Sequence, residues 1–407
     1  MKTMLTRIAT PWRVLGLVCL LAGAYATILR FTKGLGAVTN LSDTFPWGLW
    51  VGFDVLCGVG LAAGGFTVSA IVHVLNMDKY RPIARPAVLT AFIGYLLVVG
   101  GLMFDLGHPW RIWHPIVMWN PHSVMFEVAW CVTLYTIVLA AEVSVMVFER
   151  LQWKRAAHVA HKATFPLTIM AVLLSMLHQS SLGSLFLIVP GRLHELWYTP
   201  LLPLLFFVSA AAVGLAMTIF ESNLSARAFG RALEAEVQDG AARLAAIFLS
   251  LYLVIRGADL VIRGAVSALW PLDRAGFMFL IEIAVGFIIP IMLFTSARVR
   301  RNSRWLYHAS QLTVLGFVMN RLNVAVTGFE VVTGKTYVPA WSEIAVTLML
   351  VTLGVIAFYL AVRFLPVLEV DTVGPERFRS WRQSLDKRVT RPRATVAGLG
   401  GIEGGEG

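Results

Sequence analysis

Four ionisable side chains lie inside, or at the ends of, long apolar stretches of this sequence. They are Asp54, Asp105, Glu127 and His178, one in each of four consecutive stretches. A charge in hydrocarbon is costly, so an ionisable residue in such a stretch is a functional candidate by default. Carboxyl and imidazole groups can exchange protons with a bound substrate. The residue types therefore predict acid–base chemistry at this place.

His178 is the most informative of the four because Gln179, Ser180 and Ser181 follow it directly. A lone histidine on a helix is often a satisfied core residue. Here four consecutive polar side chains form a continuous patch, which favours a role in ligand binding or proton transfer. Asp105 and Glu127 stand near the ends of their stretches, where partial solvation is the structural alternative.

A second set of charges occupies later apolar stretches and has zero net charge. A neutral set fits a buried network of ion pairs that supports packing, while an ionisable residue at membrane depth is also a functional candidate. Asp54 and Glu142 are further candidates for a proton path, although a buried Asp54 could simply fix helix packing. The members of the second set are Arg256, Asp259, Glu282 and Arg321.

The composition indicates the environment of these side chains. Of the 407 residues, 57% are hydrophobic and 14% are charged, with a mean hydropathy of +0.73, whereas soluble domains have about 25% charged residues. This composition excludes a soluble enzyme. The net charge is +11, but the sequence has no soluble basic domain that could bind nucleic acid. The three cysteines have no disulfide, metal or haem-attachment spacing. The sequence predicts an all-α polytopic membrane protein without a metal site.

Ten apolar segments are long enough to cross a bilayer as helices. The first could be a cleaved signal peptide, but its apolar run continues past Ala-Tyr-Ala at 24–26, which favours a retained helix. Gly60 and Gly64 in the second allow a close approach of neighbouring helices. The ten segments cover residues 12–31, 47–75, 87–105, 124–149, 164–187, 199–221, 241–262, 276–297, 305–326 and 341–365.

Loop charges indicate the orientation. With a cytoplasmic N-terminus, 25 of the 34 Lys and Arg residues fall on the cytoplasmic side, 7 on the other side and 2 within spans. The positive-inside rule then predicts that both termini are cytoplasmic. We expect residues 1–369 to form a membrane domain in the bacterial inner membrane. Residues 370–407 are basic and then Gly-rich, which predicts a disordered cytoplasmic tail.

This orientation places the four residues introduced first at one depth, in the periplasmic third of the membrane. The cytoplasmic half holds fewer titratable groups: Glu142, and His73 and His308 near helix ends. A proton-exchanging pocket near one face suits a quinone, whose two carbonyl oxygens take up two electrons and two protons on reduction. A proton-coupled transporter needs similar residues. Haem b would need two axial histidines at matched depth, for which His73 and His308 are the available pair.

The predicted periplasmic segment 108–123 (HPWRIWHPIVMWNPHS) carries three tryptophans and three histidines. Tryptophan at a membrane interface is normally an anchor. A docking surface for a partner is the functional alternative.

Five segments of the sequence, in this order, resemble the NrfD/PsrC family of quinone-interacting membrane subunits, and most of all its ten-helix branch typified by the hydrogenase subunit HybB. The similarity covers about 12–365. The segments are FPWGLWVGFDVLCGVGLAAGGF (45–66), GGLMFDLGHPWRIW (100–113), NPHSVMFEVAW (120–130), SMLHQSSLGSLF (175–186), and MNRLNVAVTGFE with YVPAWSEIAVTL (319–348).

The resemblance implies two four-helix bundles, at about 47–187 and 199–326, flanked by the helices at about 12–31 and 341–365. It also implies a menaquinone or ubiquinone site in the first bundle near the periplasmic face, beneath a ferredoxin-like iron–sulfur subunit, and no haem. The charges of the second bundle would form a proton route.

Carried over residue by residue, the quinone pocket of the family falls on Asp105, Glu127 and His178. Gln179 and Trp130 would complete its lining, and Asp54 would be a proton-relay position in the second span.

These observations together predict the integral membrane quinone-reducing subunit of a periplasm-facing respiratory complex, active only within that complex. Electrons would come from the iron–sulfur partner, with the large and small subunits of a nickel–iron hydrogenase as catalytic partners, and proton translocation is left open. The alternatives are a quinol-oxidising subunit of a sulfur, molybdopterin or cytochrome complex, and a proton-coupled transporter.

Overall fold

A computed structural model describes residues 11–43, 45–189, 191–229, 235–270 and 272–367. These residues contain ten helices that are long and apolar enough to cross a membrane, as the sequence predicts, and no strand is found among them. The helices are α1 (Pro11–Lys33), α2 (Trp50–Val74), α3 (Asp78–Asp105), α4 (Val124–Arg150), α5 (Lys154–Ser184), α6 (Leu202–Ala228), α7 (Ala235–Ile262), α8 (Arg274–Thr295), α9 (Ser303–Thr333) and α10 (Trp341–Phe364).

Helices that each cross once alternate in direction, so the connections between them fall on two faces. We call the face with the connections 34–49, 106–123, 185–201, 263–273 and 334–340 the loop face. We call the face with the connections 75–77, 151–153 and 296–302 the turn face. The loop face is the one predicted to be periplasmic. The tail predicted to be disordered lies outside the described residues.

The helices extend further at the turn face than the apolar segments suggest. α3 begins at Asp78 and α5 at Lys154, about two to three turns before the apolar residues begin. The segment 222–240, which is helix-compatible in sequence, continues α6 to Ala228 and is helical again from Ala235. Charged and amphipathic side chains at these ends can keep their head groups in water while the helix continues, so hydropathy alone predicts shorter helices.

Helix α1 packs against α10, α4 against α5, and α6 against α7 and α9. Helix α3 contacts α2, α4 and α10. Small residues allow the closest approaches. Gly60 of α2 lies against the Phe317 ring of α9, and a Cβ at Gly64 would lie 2.9 Å from the carbonyl oxygen of Gly214 in α6. The predicted close approach at Gly60 and Gly64 is confirmed.

Several described helices contain wide π-helical turns, which often mark functional positions. They occur at Trp50–Val55 and Ala70–Val74 in α2, Ala284–Ile288 in α8 and Asn323–Thr327 in α9. The first contains Asp54, the third begins two residues after Glu282, and the fourth begins at Asn323. Three of the four thus lie where polar side chains are buried between helices.

A buried carboxylate, Glu343, joins the connections of the loop face to the first turn of α10. It accepts hydrogen bonds from the Tyr337 hydroxyl, from the backbone N–H of Ala340 at 2.8 Å and from that of Asn40 at 3.2 Å. Its own carbonyl oxygen accepts a bond from the Trp50 indole at 3.2 Å. Connections that are distant in sequence are therefore held by one side chain.

Tyr337 extends the same contacts. Its hydroxyl accepts a hydrogen bond from the Leu49 N–H at 2.8 Å, and its own N–H donates to Glu330 at 2.7 Å. Burial, reinforced by the neighbouring Glu343 carboxylate, raises the pKa of the Tyr337 phenol above its usual value. The phenol therefore stays protonated and keeps donating to Glu343 at neutral and moderately alkaline pH.

We predict that Tyr337→Phe lowers the free energy of unfolding by about 1–3 kcal/mol, because it removes one of the donors to the buried Glu343 carboxylate and leaves the Leu49 N–H without its acceptor. Thermal unfolding of the protein in mild detergent measures this change. Tyr25→Phe is the matched control, since the exposed Tyr25 stacks on Trp341 with a ring that phenylalanine retains. Equal effects of the two substitutions would contradict this role of Tyr337.

Candidate functional site

Four fully buried polar side chains meet between α3, α4 and α5, and we call them the His178 site. They are Tyr95, Tyr135, Ser175 and His178, each 0% exposed. The Tyr95 ring centroid lies 4.5 Å from that of Tyr135 and 5.8 Å from that of His178. The Ser175 hydroxyl lies beside both tyrosine hydroxyls. One histidine and three hydroxyls thus share one small volume inside the membrane-spanning part.

The polar atoms of the His178 site are poorly satisfied by the described protein atoms. Both ring nitrogens of His178 have no hydrogen-bond partner, and the hydroxyls of Tyr95, Tyr135 and Ser175 have only one another as neighbours, without good hydrogen-bond geometry. An unsatisfied buried donor or acceptor costs about 1–3 kcal/mol, and nearly all such groups in native proteins are paired. The site can therefore gain several hydrogen bonds from a ligand that carries polar atoms.

Glu127 reaches the helix turn next to this site. Its carboxylate accepts a hydrogen bond of 2.6 Å from Ser181, which lies three residues after His178 on the same face of α5. Glu127 itself is exposed, in the first turn of α4. A titratable group at the protein surface is thus joined to the turn that carries His178.

Gln179 has a different contact. Its side-chain amide donates to the Val59 carbonyl of α2 at 3.1 Å, so it ties α5 to α2 and fixes the rotation of the helix that presents His178.

Asp54 and Asp105 are placed against other helices. Asp54 accepts a hydrogen bond of 2.9 Å from Thr347 of α10. Asp105 has Arg30 and Glu343 as its charged neighbours. Arg30 of α1 is buried and donates to the carbonyl oxygens on both sides of Asp105, those of Phe104 at 2.7 Å and Leu106 at 2.6 Å. The structure therefore brings Glu127, but neither aspartate, to the turn of His178.

Trp130 joins α4 to the aromatic segment of the loop face. Its indole donates to the Pro115 carbonyl at 2.9 Å, and its ring lies 5.1 Å from that of Trp119. The segment folds into two short helical turns, Pro109–Arg111 and His114–Val117. Trp110, Trp113 and Trp119 are each at least half exposed. These side chains form an apolar aromatic surface beside the first turn of α4.

A well-satisfied polar network lies among helices α6 to α9, centred on the fully buried Glu282. Its carboxylate accepts hydrogen bonds from Trp197 at 2.9 Å, Asn320 at 2.6 Å and Asn323 at 2.8 Å. Arg321 donates to Asn320 at 2.6 Å and to Ser209 at 2.8 Å. Most donors and acceptors here are satisfied, as a structural network requires.

Asp259 contributes the other carboxylate of this region. It bonds Arg263 at 2.8 and 2.9 Å, Arg256 at 3.5 Å and Thr199 at 2.7 Å. Arg263, in the connection that follows α7, thus adds a positive charge beside the four residues of the predicted neutral set.

The comparisons with known proteins bear on the whole membrane-spanning part. A sequence model of the family described as "Polysulphide reductase, NrfD" matches residues 37–333. The chain belongs to the NrfD family. It is a multi-pass membrane protein, and its named relatives are membrane subunits of oxidoreductase complexes.

Three relatives give the range of similarity. A protein of Nitratidesulfovibrio vulgaris, whose name states no activity, is 40% identical over 88% of this chain and 95% of its own length. The "Probable Ni/Fe-hydrogenase 2 b-type cytochrome subunit" of Escherichia coli is 32% identical over 84% of this chain and 88% of its own. The "Menaquinone reductase, integral membrane subunit" of N. vulgaris is 29% identical over 85% and 88%.

The name of the E. coli relative corrects one expectation. We expected no haem, whereas that relative is called a b-type cytochrome subunit, which points to haem. All nine histidines lie in the described part of the chain, and His178 is the fully buried one, with both ring nitrogens unpartnered. A ring nitrogen of His178 could hold a haem iron. The other eight are partly or fully exposed, so the described histidines offer no second fully buried imidazole for the same iron.

We predict that Glu282→Ala strongly destabilises the packing of helices α6 to α9. Its three buried donors would each lose a partner at about 1–3 kcal/mol, so the free energy of unfolding falls by about 3 kcal/mol or more. Thermal unfolding and the yield of folded protein in detergent measure the effect. Glu236→Ala, at the exposed start of α7, is the control, and a stability loss no greater than that of the control would contradict the role of Glu282.

Proposed function

We propose that this chain is the quinone-reducing subunit of a membrane oxidoreductase complex and that the quinone head group binds at the His178 site. The observation that carries the proposal is the set of poorly satisfied polar atoms of His178, Tyr95, Tyr135 and Ser175 inside the hydrocarbon zone. A quinone dissolves in the bilayer and carries two oxygens that accept hydrogen bonds. It therefore matches both the location and the unsatisfied donors.

The side chains of the site can perform the proton chemistry of the reaction. Reduction of the quinone to the quinol takes two electrons and two protons and forms two O–H bonds. His178 can donate a hydrogen bond to one carbonyl oxygen and transfer its proton, and the tyrosine hydroxyls can orient the other. The network of Ser181 and Glu127 beside His178 is one source of protons. Asp105, held by Arg30, is a second titratable group at the loop face.

The electrons must come from a partner, because quinone reduction needs a donor. We propose a ferredoxin-like iron–sulfur subunit on the loop face, where Trp110, Trp113 and Trp119 are exposed. The names of two relatives support this assignment, since one is a hydrogenase subunit and the other a menaquinone reductase subunit. A nickel–iron hydrogenase is accordingly the proposed catalytic module and menaquinone or ubiquinone the acceptor, in the bacterial inner membrane with the loop face in the periplasm.

His178→Ala tests the proposal. In the purified complex we expect quinone reduction to fall about 100-fold or more, the usual range for a lost proton-transfer group, while the catalytic module still reduces artificial dyes. His158→Ala is the matched control, because it changes an exposed histidine of the same helix. Quinone reduction in the His178→Ala complex at the rate of the His158→Ala complex would refute the site.

The optical spectrum of the same preparations tests haem ligation. If His178 holds a haem iron, b-type bands present in the unsubstituted complex will be lost or shifted in His178→Ala and retained in His158→Ala. If His178 binds quinone alone, the spectra of the two variants will be the same.

A further inference from the structure

Four exposed arginines lie at the turn face, at the end of α6 and around the start of α9, and we call them the arginine patch. None of the four forms an ion pair with another described residue. The nearby carboxylate of Asp239 is already bonded by Arg243 at 2.8 Å and by Arg300 at 2.7 Å. No acidic residue occurs between Glu282 and Glu330 in the sequence. The members of the patch are Arg227, Arg298, Arg301 and Arg304.

The connection between α8 and α9 holds part of the patch in an ordered turn. Arg300 donates to the Asp239 carboxylate of α7 at 2.7 Å. Asn302 caps α9 by accepting a hydrogen bond of 3.0 Å from the backbone N–H two residues later. Arg298 and Arg301 are three residues apart around one helical turn between these two anchors, so they lie on one side of it.

The arginine of α6 is brought to the start of α9 by side-chain contacts. The guanidinium carbon of Arg227 lies 4.5 Å from the ring centroid of Tyr307. The Ser303 hydroxyl donates to Asn223, one turn before Arg227 in α6, at 2.7 Å. Arg227 therefore lies against the first turns of α9, which also carry Arg304.

The helix faces that carry these arginines become apolar towards the membrane interior. On α9, Arg304, His308 and Leu315 follow one another at helical spacing, and Leu315 is 63% exposed. On α6, the exposed Leu224 lies one turn deeper than Arg227. The patch thus joins cationic side chains at the surface to apolar side chains that face lipid.

Trp305 indicates the depth of the patch. Its side chain is 59% exposed and follows Arg304 directly in the sequence. Exposed tryptophan is enriched at the level of the lipid head groups, where its ring meets hydrocarbon and its N–H meets water. The arginines therefore lie at head-group level.

We propose that the arginine patch is a binding site for an anionic phospholipid. The phosphate of the head group is held by the guanidinium groups, which form charge-assisted and bidentate hydrogen bonds with phosphate oxygens. The acyl chains lie along the apolar surface that includes Leu224 and Leu315. Clusters of four or more basic residues beside a membrane helix are attracted to anionic lipid, and the described residues provide no carboxylate to neutralise this cluster.

The apolar continuation of the patch favours a lipid over a soluble ligand. Free phosphate or an acidic soluble protein would use the positive charge, but neither needs Leu224 and Leu315 beneath it. A phospholipid uses both parts of the surface. This site lies at the turn face beside α6 and α9, whereas the proposed quinone site lies between α3, α4 and α5, so the two proposals stand or fall independently.

Native mass spectrometry of the full-length chain in mild detergent tests the site. Cardiolipin and phosphatidylcholine are added separately at the same concentrations, and the bound lipid is counted. We expect cardiolipin to bind at least tenfold more tightly than phosphatidylcholine. Each basic residue near an anionic lipid strengthens the attraction about fivefold, so Arg301→Gln/Arg304→Gln should weaken cardiolipin binding about 25-fold.

Lys79→Gln/Arg155→Gln is the matched control. It removes the same charge from the turn face, but its two exposed cations lie at the starts of different helices, α3 and α5. We expect cardiolipin binding within about twofold of that of the unsubstituted chain. Arg227→Gln/Arg298→Gln changes the other half of the patch and provides a second measurement if the first variant does not fold.

Thermal unfolding in the same detergent gives an independent reading. A ligand that binds only the folded state raises the unfolding temperature. Cardiolipin should therefore stabilise the unsubstituted chain and the control variant, and it should stabilise Arg301→Gln/Arg304→Gln less.

Three results would overturn the proposal. Equal cardiolipin binding by the patch variants and the control would show that only total charge matters. Equal binding of cardiolipin and phosphatidylcholine would leave the patch to an acidic soluble partner. Displacement of cardiolipin by 10 mM inorganic phosphate at constant ionic strength would indicate a site for free phosphate.

Discussion

The structure depends on one constraint, that polar groups within the hydrocarbon core must find partners inside the protein. The described backbone there meets it by being helical. Charged side chains meet it through dense networks, as Glu282 does with three nitrogen donors and as Arg30 does with the carbonyl oxygens that flank Asp105. At His178 the constraint is not met by the described protein atoms, and for this reason the site is assigned to a substrate.

The two halves of the protein differ in how they use buried polarity. Around Glu282 and Arg321 almost every donor has an acceptor, π-helical turns lie close by, and the arrangement holds four helices in place. Between α3, α4 and α5 the hydroxyls of Tyr95 and Tyr135 have no partner with good hydrogen-bond geometry among the described atoms. We therefore interpret the charges among helices α6 to α9 mainly as structural, although they resemble a proton route in the sequence, and place the chemistry between α3, α4 and α5.

Hydropathy and loop length were sufficient to predict ten helices, because a bilayer requires about 20 apolar residues per span. The ionisable residues in apolar spans also indicated His178 and Glu127, whereas the hydrogen bond of Ser181 that links Glu127 to the turn of His178 came from the structure. The sequence analysis missed Tyr95, Tyr135 and Ser175, because a neutral hydroxyl in an apolar span carries no charge that would identify it as a functional candidate. The sequence analysis also grouped Asp105 with His178 because the two residues lie at the same predicted depth. In the structure, different helices surround the two side chains.

The most direct measurement of the central claim is an experimental structure of the complete complex with a bound quinone or quinone-like inhibitor. The account predicts a head-group oxygen within hydrogen-bond distance of a His178 ring nitrogen, between α3, α4 and α5, with the tyrosine hydroxyls nearby. A head group placed instead between α1, α3 and α10, beside Arg30 and Asp105, would contradict it.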